Sequence, residues 1–206
     1  MTTLQTVTLH KGDLPEGLSF GAIVAVDTEA MGLNPTRDRL CVVQLSAGDG
    51  HVHLVQIIPG HDAPQLRALM ADRNVLKLLH FARFDMGMIA KHLGVMMAPV
   101  YCTKIASRLT RTYTDKHGLK DLVKEVLGID MSKEQQSSDW GAAELSPEQQ
   151  RYAASDVLHL HRLKEKLDER LLREKRQQIA AACFNFLPVR ATLDLSGWPD
   201  EDIFAH

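Results

Sequence analysis

The hydrophobic positions change period along the chain, from alternation and short apolar runs in the first half to helical spacing in the second. Residues 5–10 alternate loosely through Val7 and Leu9 and predict an edge strand, followed by a Gly12/Pro15/Gly17 loop. Ala22 to Val26 carries no charge and is partly β-branched, which predicts a strand over 22–28 buried on both faces. Gly32-Leu33-Asn34-Pro35 breaks the chain. Residues 41–46 predict a second strand, and Gly48-Asp49-Gly50 turns it into a third over 51–57. Joined by short turns, these three strands predict an antiparallel meander that Pro59-Gly60 ends.

Leu66, Leu69 and Met70 give residues 63–72 helical spacing, and 75–79 is a short apolar strand. His80-Phe81 leads into a helix with Phe84, Met88, Ile89 and Leu93 on one stripe, stopped by Gly94. Residues 100–102 predict a last short strand, and 103–110 and 119–127 predict helices, the second ended by Gly128. Residues 130–144 are polar and poorly periodic. Ser146-Pro147-Glu148-Gln149 combines a capping residue, a proline suited to the first helical position and a capping-box glutamine. Helix is expected from there to about residue 186. Residues 187–206 are apolar yet irregular, with Pro188, Gly197-Trp198-Pro199 and Phe204. An exposed Trp and Phe in a tail would be unusual, so this segment is expected to pack on its own domain or a neighbouring subunit. One α/β domain over 1–206 is expected, with its core at about 20–170 and residues 171–206 against it or a neighbour.

The length of 206 residues, 45% hydrophobic and 24% charged, fits one soluble domain with a substantial core. No apolar run is long enough to span a membrane, and the N-terminus lacks a signal pattern. Three widely spaced cysteines, Cys41, Cys102 and Cys183, read as small hydrophobes in a reducing compartment, so the cytoplasm is expected. A net charge of −2 argues against a protein that coats long nucleic acid nonspecifically. Between Lys104 and Lys124 six basic residues face two acids, a cluster that reads by itself as a solvated helix face.

The buried strand ends on Asp27-Thr28-Glu29. Alternation sends Asp27 and Glu29 to the same side, and two carboxylates so placed repel. They must take up a proton or recruit a cation, and hard divalent ions suit such an oxygen site. The alternative is a strand end reaching solvent, with Asp27 capping the next segment. Asp85 lies in the first turn of the helix after strand 75–79, at the sheet end where α/β proteins bind ligands, although a helix dipole also favours an acid there. Tyr152 and Asp156 share a helix face at i,i+4, separated by small residues.

Together, in this order, these segments resemble the DEDD superfamily of 3′→5′ exonucleases, in the subclass whose third motif is Tyr-x₃-Asp. Ser132-Lys133-Glu134-Gln135-Gln136, Ser138-Asp139-Trp140 and Leu145-Ser146 are similar to its ribonuclease D branch. Arg39 to Leu45, Cys102 to Ser107, Thr110 to Asp115 and Leu193 to Trp198 extend the resemblance over nearly the whole chain, to the short nano-RNase C family. One departure is His80-Phe81-Ala82-Arg83-Phe84-Asp85, where many members have Asn before the variable residue; it bears on substrate contacts and not on a ligand.

The resemblance implies a ribonuclease H-like mixed sheet flanked by helices, with a helical C-terminal half. It implies hydrolysis of short RNA, dinucleotides included, to nucleoside 5′-monophosphates, and a ring-shaped homo-octamer. Two Mg²⁺ or Mn²⁺ ions about 4 Å apart would serve the reaction. Asp27 would bridge them, Glu29 and Asp156 would hold the water-activating ion, and Asp85 would support the second through water. Tyr152, a poor base with its ordinary pKa near ~10, would orient the attacking water. Glu29 and the backbone near Thr28 would contact the terminal 3′-hydroxyl, and Leu33 would wedge between the last two bases, with core packing as its plain alternative. His80 and Phe81 are expected to touch a base or phosphate, and Lys104, Arg108, Lys133, Gln136 and Ser138 to touch phosphates. Two other readings stay open: a DNA exonuclease of the same mechanism, and a catalytically silent nucleic-acid-binding module.

Overall fold

The computed structural model describes residues 6–132, 135 and 137–205. A six-stranded sheet has the order β1-β4-β3-β2-β5-β6. The strands are β1 (Thr6–Lys11), β2 (Ile23–Ala30), β3 (Leu40–Ser46), β4 (His51–Gln56), β5 (Leu76–Leu79) and β6 (Val100–Cys102). Strand β2 pairs antiparallel with β3 and parallel with β5, and β3 pairs antiparallel with β4. The meander is therefore present, although residues 31–39 join its first two strands by a loop longer than a tight turn. Strand β1 is the predicted edge strand and runs parallel to β4.

The strand of residues 22–28 forms one place later and runs to Ala30, so Asp27 and Glu29 lie within β2 and not beyond its end. Val24, Ala25 and Val26 are fully buried, as an uncharged central strand requires.

The described helices are α1 (Pro64–Ala71), α2 (Ala82–Leu93), α3 (Thr103–Thr110), α4 (Leu119–Leu127), α5 (Pro147–Leu158), α6 (Leu160–Arg173) and α7 (Gln177–Leu195). Helix α5 lies across β1 to β4, while α2 packs on β2, β3, β6 and α7. The capping box starts α5 as predicted: Ser146 Oγ accepts from the Gln149 N–H at 3.2 Å, and Gln149 Oε1 accepts from the Ser146 N–H at 2.9 Å. That start sets the phase of the helix and so the side on which Tyr152 and Asp156 emerge.

The C-terminal expectation needs correction. Residues 187–195 continue helix α7, with Pro188 inside it. Ala180, Phe184, Leu187 and Ala191 form the buried stripe, while Ile179, Phe186 and Val189 form a second, exposed apolar stripe. Two apolar stripes erase the polar–apolar contrast that marks a surface helix. Near the end of α7, Asp194 accepts from Arg83 at 2.6 and 2.7 Å and from Arg190 at 2.6 and 3.0 Å. The same arginines reach the carbonyls of Pro199 and Trp198. The tail is thus tied to α2, but Trp198, Ile203 and Phe204 stay exposed on this chain.

Candidate active site

Four acidic side chains meet at the C-terminal end of β2. Asp27 and Glu29 face α5, and oxygens of Asp27, Glu29 and Asp156 lie within 4.8 Å of one another. Thr28 points to the opposite face, where its buried hydroxyl donates to Asp85 Oδ1 at 2.6 Å. Asp85 itself is buried in the first turn of α2. On the α5 side, Gln44 of β3 stands in register with Asp27 and donates from Nε2 to Asp27 Oδ2 at 3.3 Å.

The electrostatics arise from this crowding. Burial, then the charges of Asp85, Asp156 and Glu29, hold the Asp27 carboxyl well above its ordinary range. Burial, then Asp156 and Asp85, push Glu29 up to about 9. Burial pushes Asp156 up to about 7. It pushes Asp85 up to about 7 as well, against the Thr28 hydroxyl bond, which favours the ionised form. None of the ion pairs among the described residues involves these four acids. Four carboxyls without a neutralising lysine or arginine, three of them converging, form the donor set that hard divalent cations require.

A cleft of about 610 Å³ opens over this cluster. Its walls include Leu33, His80, Phe81, Lys104, Ser138, Trp140 and Tyr152. Tyr152 lies on α5, and burial and the carboxylates of Asp156, Glu29 and Asp27 raise its phenol above its ordinary pKa. Leu33 is 87% exposed, so it is a rim residue and not a core one. Phe81 turns β5 into α2 at a φ of 64°, a left-handed conformation costly for a bulky residue, and its exposed ring carries the Lys104 ammonium 3.9 Å from its centroid. His80 Nδ1 lies 2.9 Å from Thr103 Oγ1, which donates onward to the Leu79 carbonyl. Burial lowers its pKa to about 3, so the ring is neutral in its working range. Ser138 donates to Gln135 Oε1 at 2.5 Å.

Arg108 is exposed on α3 and does not line the cleft. Lys133 and Gln136 lie outside the described residues. The basic cluster between Lys104 and Lys124 divides by role. Lys104 and Lys120 line the cleft, Lys124 pairs with Asp130 at 2.7 Å, and Arg111 is buried against Glu125. Two residues near the site carry no role in the sequence reading, Gln44 and Trp140. A lone amide inside the apolar run Cys41 to Leu45, one strand away from the acids, is the signal that marks Gln44.

Residues 13–172 match the family model described as 3′-5′ exonuclease, and the chain belongs to that family. Within it the likeness to nano-RNase C extends from end to end. The structure of Brucella melitensis NrnC with bound Mg²⁺ superposes with a TM-score of 0.94 at 53% identity, covering 98% of this chain and 100% of that one. The same protein bound to pGG gives 0.95 at 54% identity, covering 98% and 99%. Ribonuclease D of Gluconacetobacter diazotrophicus is 33% identical over 189 residues, 92% of this chain and 48% of that protein. The chain spans about half the length of the curated relatives it matches.

Proposed function

We propose that this chain is a divalent-cation-dependent 3′–5′ exoribonuclease that hydrolyses short RNA oligonucleotides, dinucleotides included, to nucleoside 5′-monophosphates. The observation that carries the reading is the convergence of Asp27, Glu29 and Asp156 within 4.8 Å on the floor of a cleft of about 610 Å³. A space of that size is typical of sites that enclose one small ligand. The Mg²⁺ and pGG seen with Brucella NrnC support the same ion and substrate class here.

Asp27, Glu29 and Asp156 would hold the cations directly, with Asp85 completing the set. Two bound Mg²⁺ or Mn²⁺ ions would lower the pKa of a water and neutralise charge on the phosphoryl and leaving oxygens. The chain's own residues do the rest. Tyr152 keeps its proton at neutral pH because its pKa is raised, so it serves as a hydrogen-bond donor that orients the attacking water and not as the base. Glu29 and the Thr28 backbone position the terminal 3′-hydroxyl. Leu33, free of packing at the rim, is placed to separate the last two bases. Phe81 offers a ring face for a base, with Lys104 above it for a phosphate.

The exposed stripe of Ile179, Phe186 and Val189, with Trp198, Ile203 and Phe204 beside it in sequence, supports a homo-oligomer, and the family resemblance suggests an octameric ring. The reduced state expected of Cys41, Cys102 and Cys183 supports the cytoplasm.

Parallel time courses on matched RNA and DNA dinucleotides, longer oligomers and duplexes, each with and without EDTA, test the proposal. Cleavage of short RNA that EDTA stops is expected. Cleavage of DNA alone would move the assignment to a DNA exonuclease. Tight binding without turnover would make the chain a binding module.

A further inference from the structure

Gln44 is fully buried at the middle of β3, the only amide on a strand whose other central positions are apolar. Its cross-strand partner is Asp27, and its Nε2 reaches Asp27 Oδ2 at 3.3 Å. The other end of the amide is unsatisfied. Gln44 Oε1 is buried and has no hydrogen-bond donor among the described residues.

A buried acceptor without a donor is destabilising, and an apolar side chain of similar shape would avoid that cost. The stability of the sheet therefore does not explain a glutamine here; the bond to Asp27 does. Asp27 lies at the centre of the cluster, with oxygens of Glu29 and Asp156 within 4.8 Å, so the orientation of its carboxylate decides whether the three can share a cation. An amide N–H on Oδ2 restrains rotation of the carboxylate without bringing a positive charge that would compete with a cation. A lysine or arginine in the same place would neutralise the site.

We infer that Gln44 is a positioning residue for the divalent-cation site: it locks the Asp27 carboxylate in its ion-binding orientation from the neighbouring strand. This inference rests on the cation reading proposed above. Partners that orient a metal ligand in this way are worth about 10–100-fold in metal affinity.

The test compares wild type, Gln44→Met and Gln44→Asn. Methionine keeps the volume without the donor, and asparagine keeps a neutral amide but withdraws it by one methylene. Mn²⁺ and Mg²⁺ affinities are measured by calorimetry without substrate, and the Tm of each protein is measured in EDTA. We expect both variants to bind the ions about 10–100-fold more weakly, while Gln44→Met in EDTA melts no lower than wild type. Ion affinity unchanged in both folded variants would overturn the inference. A Gln44→Met that melts well below wild type in EDTA, with Gln44→Asn binding ions normally, would also overturn it by showing a packing role. Failure of the wild type to bind either ion would instead strike the cation reading itself.

Discussion

The Thr28 hydroxyl donates to Asp85, 2.6 Å away, on the sheet face opposite the one toward which Asp27 and Glu29 project. Asp27 and Glu29, one residue to either side, look toward α5, so a single strand end orients acids on both layers. Because that bond favours ionised Asp85, Thr28→Val should raise the Asp85 pKa of the metal-free protein above about 7 and, at subsaturating Mg²⁺, where protons compete with the cation, move the pH–rate profile to the alkaline side. A bond to a charged group is worth about 1.5–3 kcal/mol, so turnover near neutral pH should fall about 10–100-fold, and Thr28→Ser should recover most of it. A pH profile identical to wild type would show that Thr28 serves only the fold.

Asp27→Asn and Asp156→Asn should lower hydrolysis by about three orders of magnitude or more while the fold persists. The warrant is the loss of cation-borne charge stabilisation, worth several kcal/mol. Each also removes a repelling carboxylate, so the Tm in EDTA should rise or hold. Circular dichroism with single-turnover assays at saturating Mg²⁺ reads both effects.

Burial of these acids, with their mutual repulsion, sets a pH dependence for the metal-free protein. Carboxyls whose folded pKa values are raised, Asp85 and Asp156 to about 7 and Glu29 to about 9, contribute stability below their unfolded values. That contribution is lost as pH rises through the folded values. Asp85 and Asp156 have lost most of their share by pH 7, so in EDTA the Tm should fall from pH 7 to 9 mainly through Glu29, and Mg²⁺ should raise it most at the alkaline end. His10, His53 and His80 titrate below this window because burial lowers them, so they do not reverse the trend. Lys77, lowered to about 8 by burial, opposes it, so the comparison is made against Glu29→Gln, in which the fall should be shallower.

Tyr152→Phe should lower kcat by about 100-fold with little change in KM, because an oriented water matters in the transition state and not in substrate binding. A higher KM with unchanged kcat would make the hydroxyl a substrate contact.

Much of this arrangement is legible in the chain. The uncharged run before Asp27, the period change at Ala63, the glycine stops and the capping box at Ser146 each have a local physical cause, and each reads correctly without tertiary information. The path of α7 does not. Its apolar residues occupy two faces, one buried in this chain and one exposed, and Pro188 reads as a breaker when the decisive contacts come from α2 and β6. The Thr28–Asp85 and Gln44–Asp27 bonds are invisible in the sequence for a related reason: they depend on strand register and sheet face, which link residues 57 and 17 positions apart. Only the fold brings Glu125 to Arg111, a cation that sequence groups with solvated ones.

If the exposed stripe of α7 is an interface, light scattering at micromolar concentration should give a mass several times 23.0 kDa. Ile179→Glu with Phe186→Glu should lower it. A clean monomer in the wild type would remove the oligomer from the proposal.

One time course tests metal-dependent attack from the 3′ end of short RNA. A 5′-labelled RNA pentanucleotide, incubated with the protein in Mg²⁺, should shorten by one nucleotide at a time from its 3′ end to the labelled mononucleotide. EDTA or Asp27→Asn should stop it. Internal cuts, shortening from the 5′ end, or equal rates in EDTA would contradict the account.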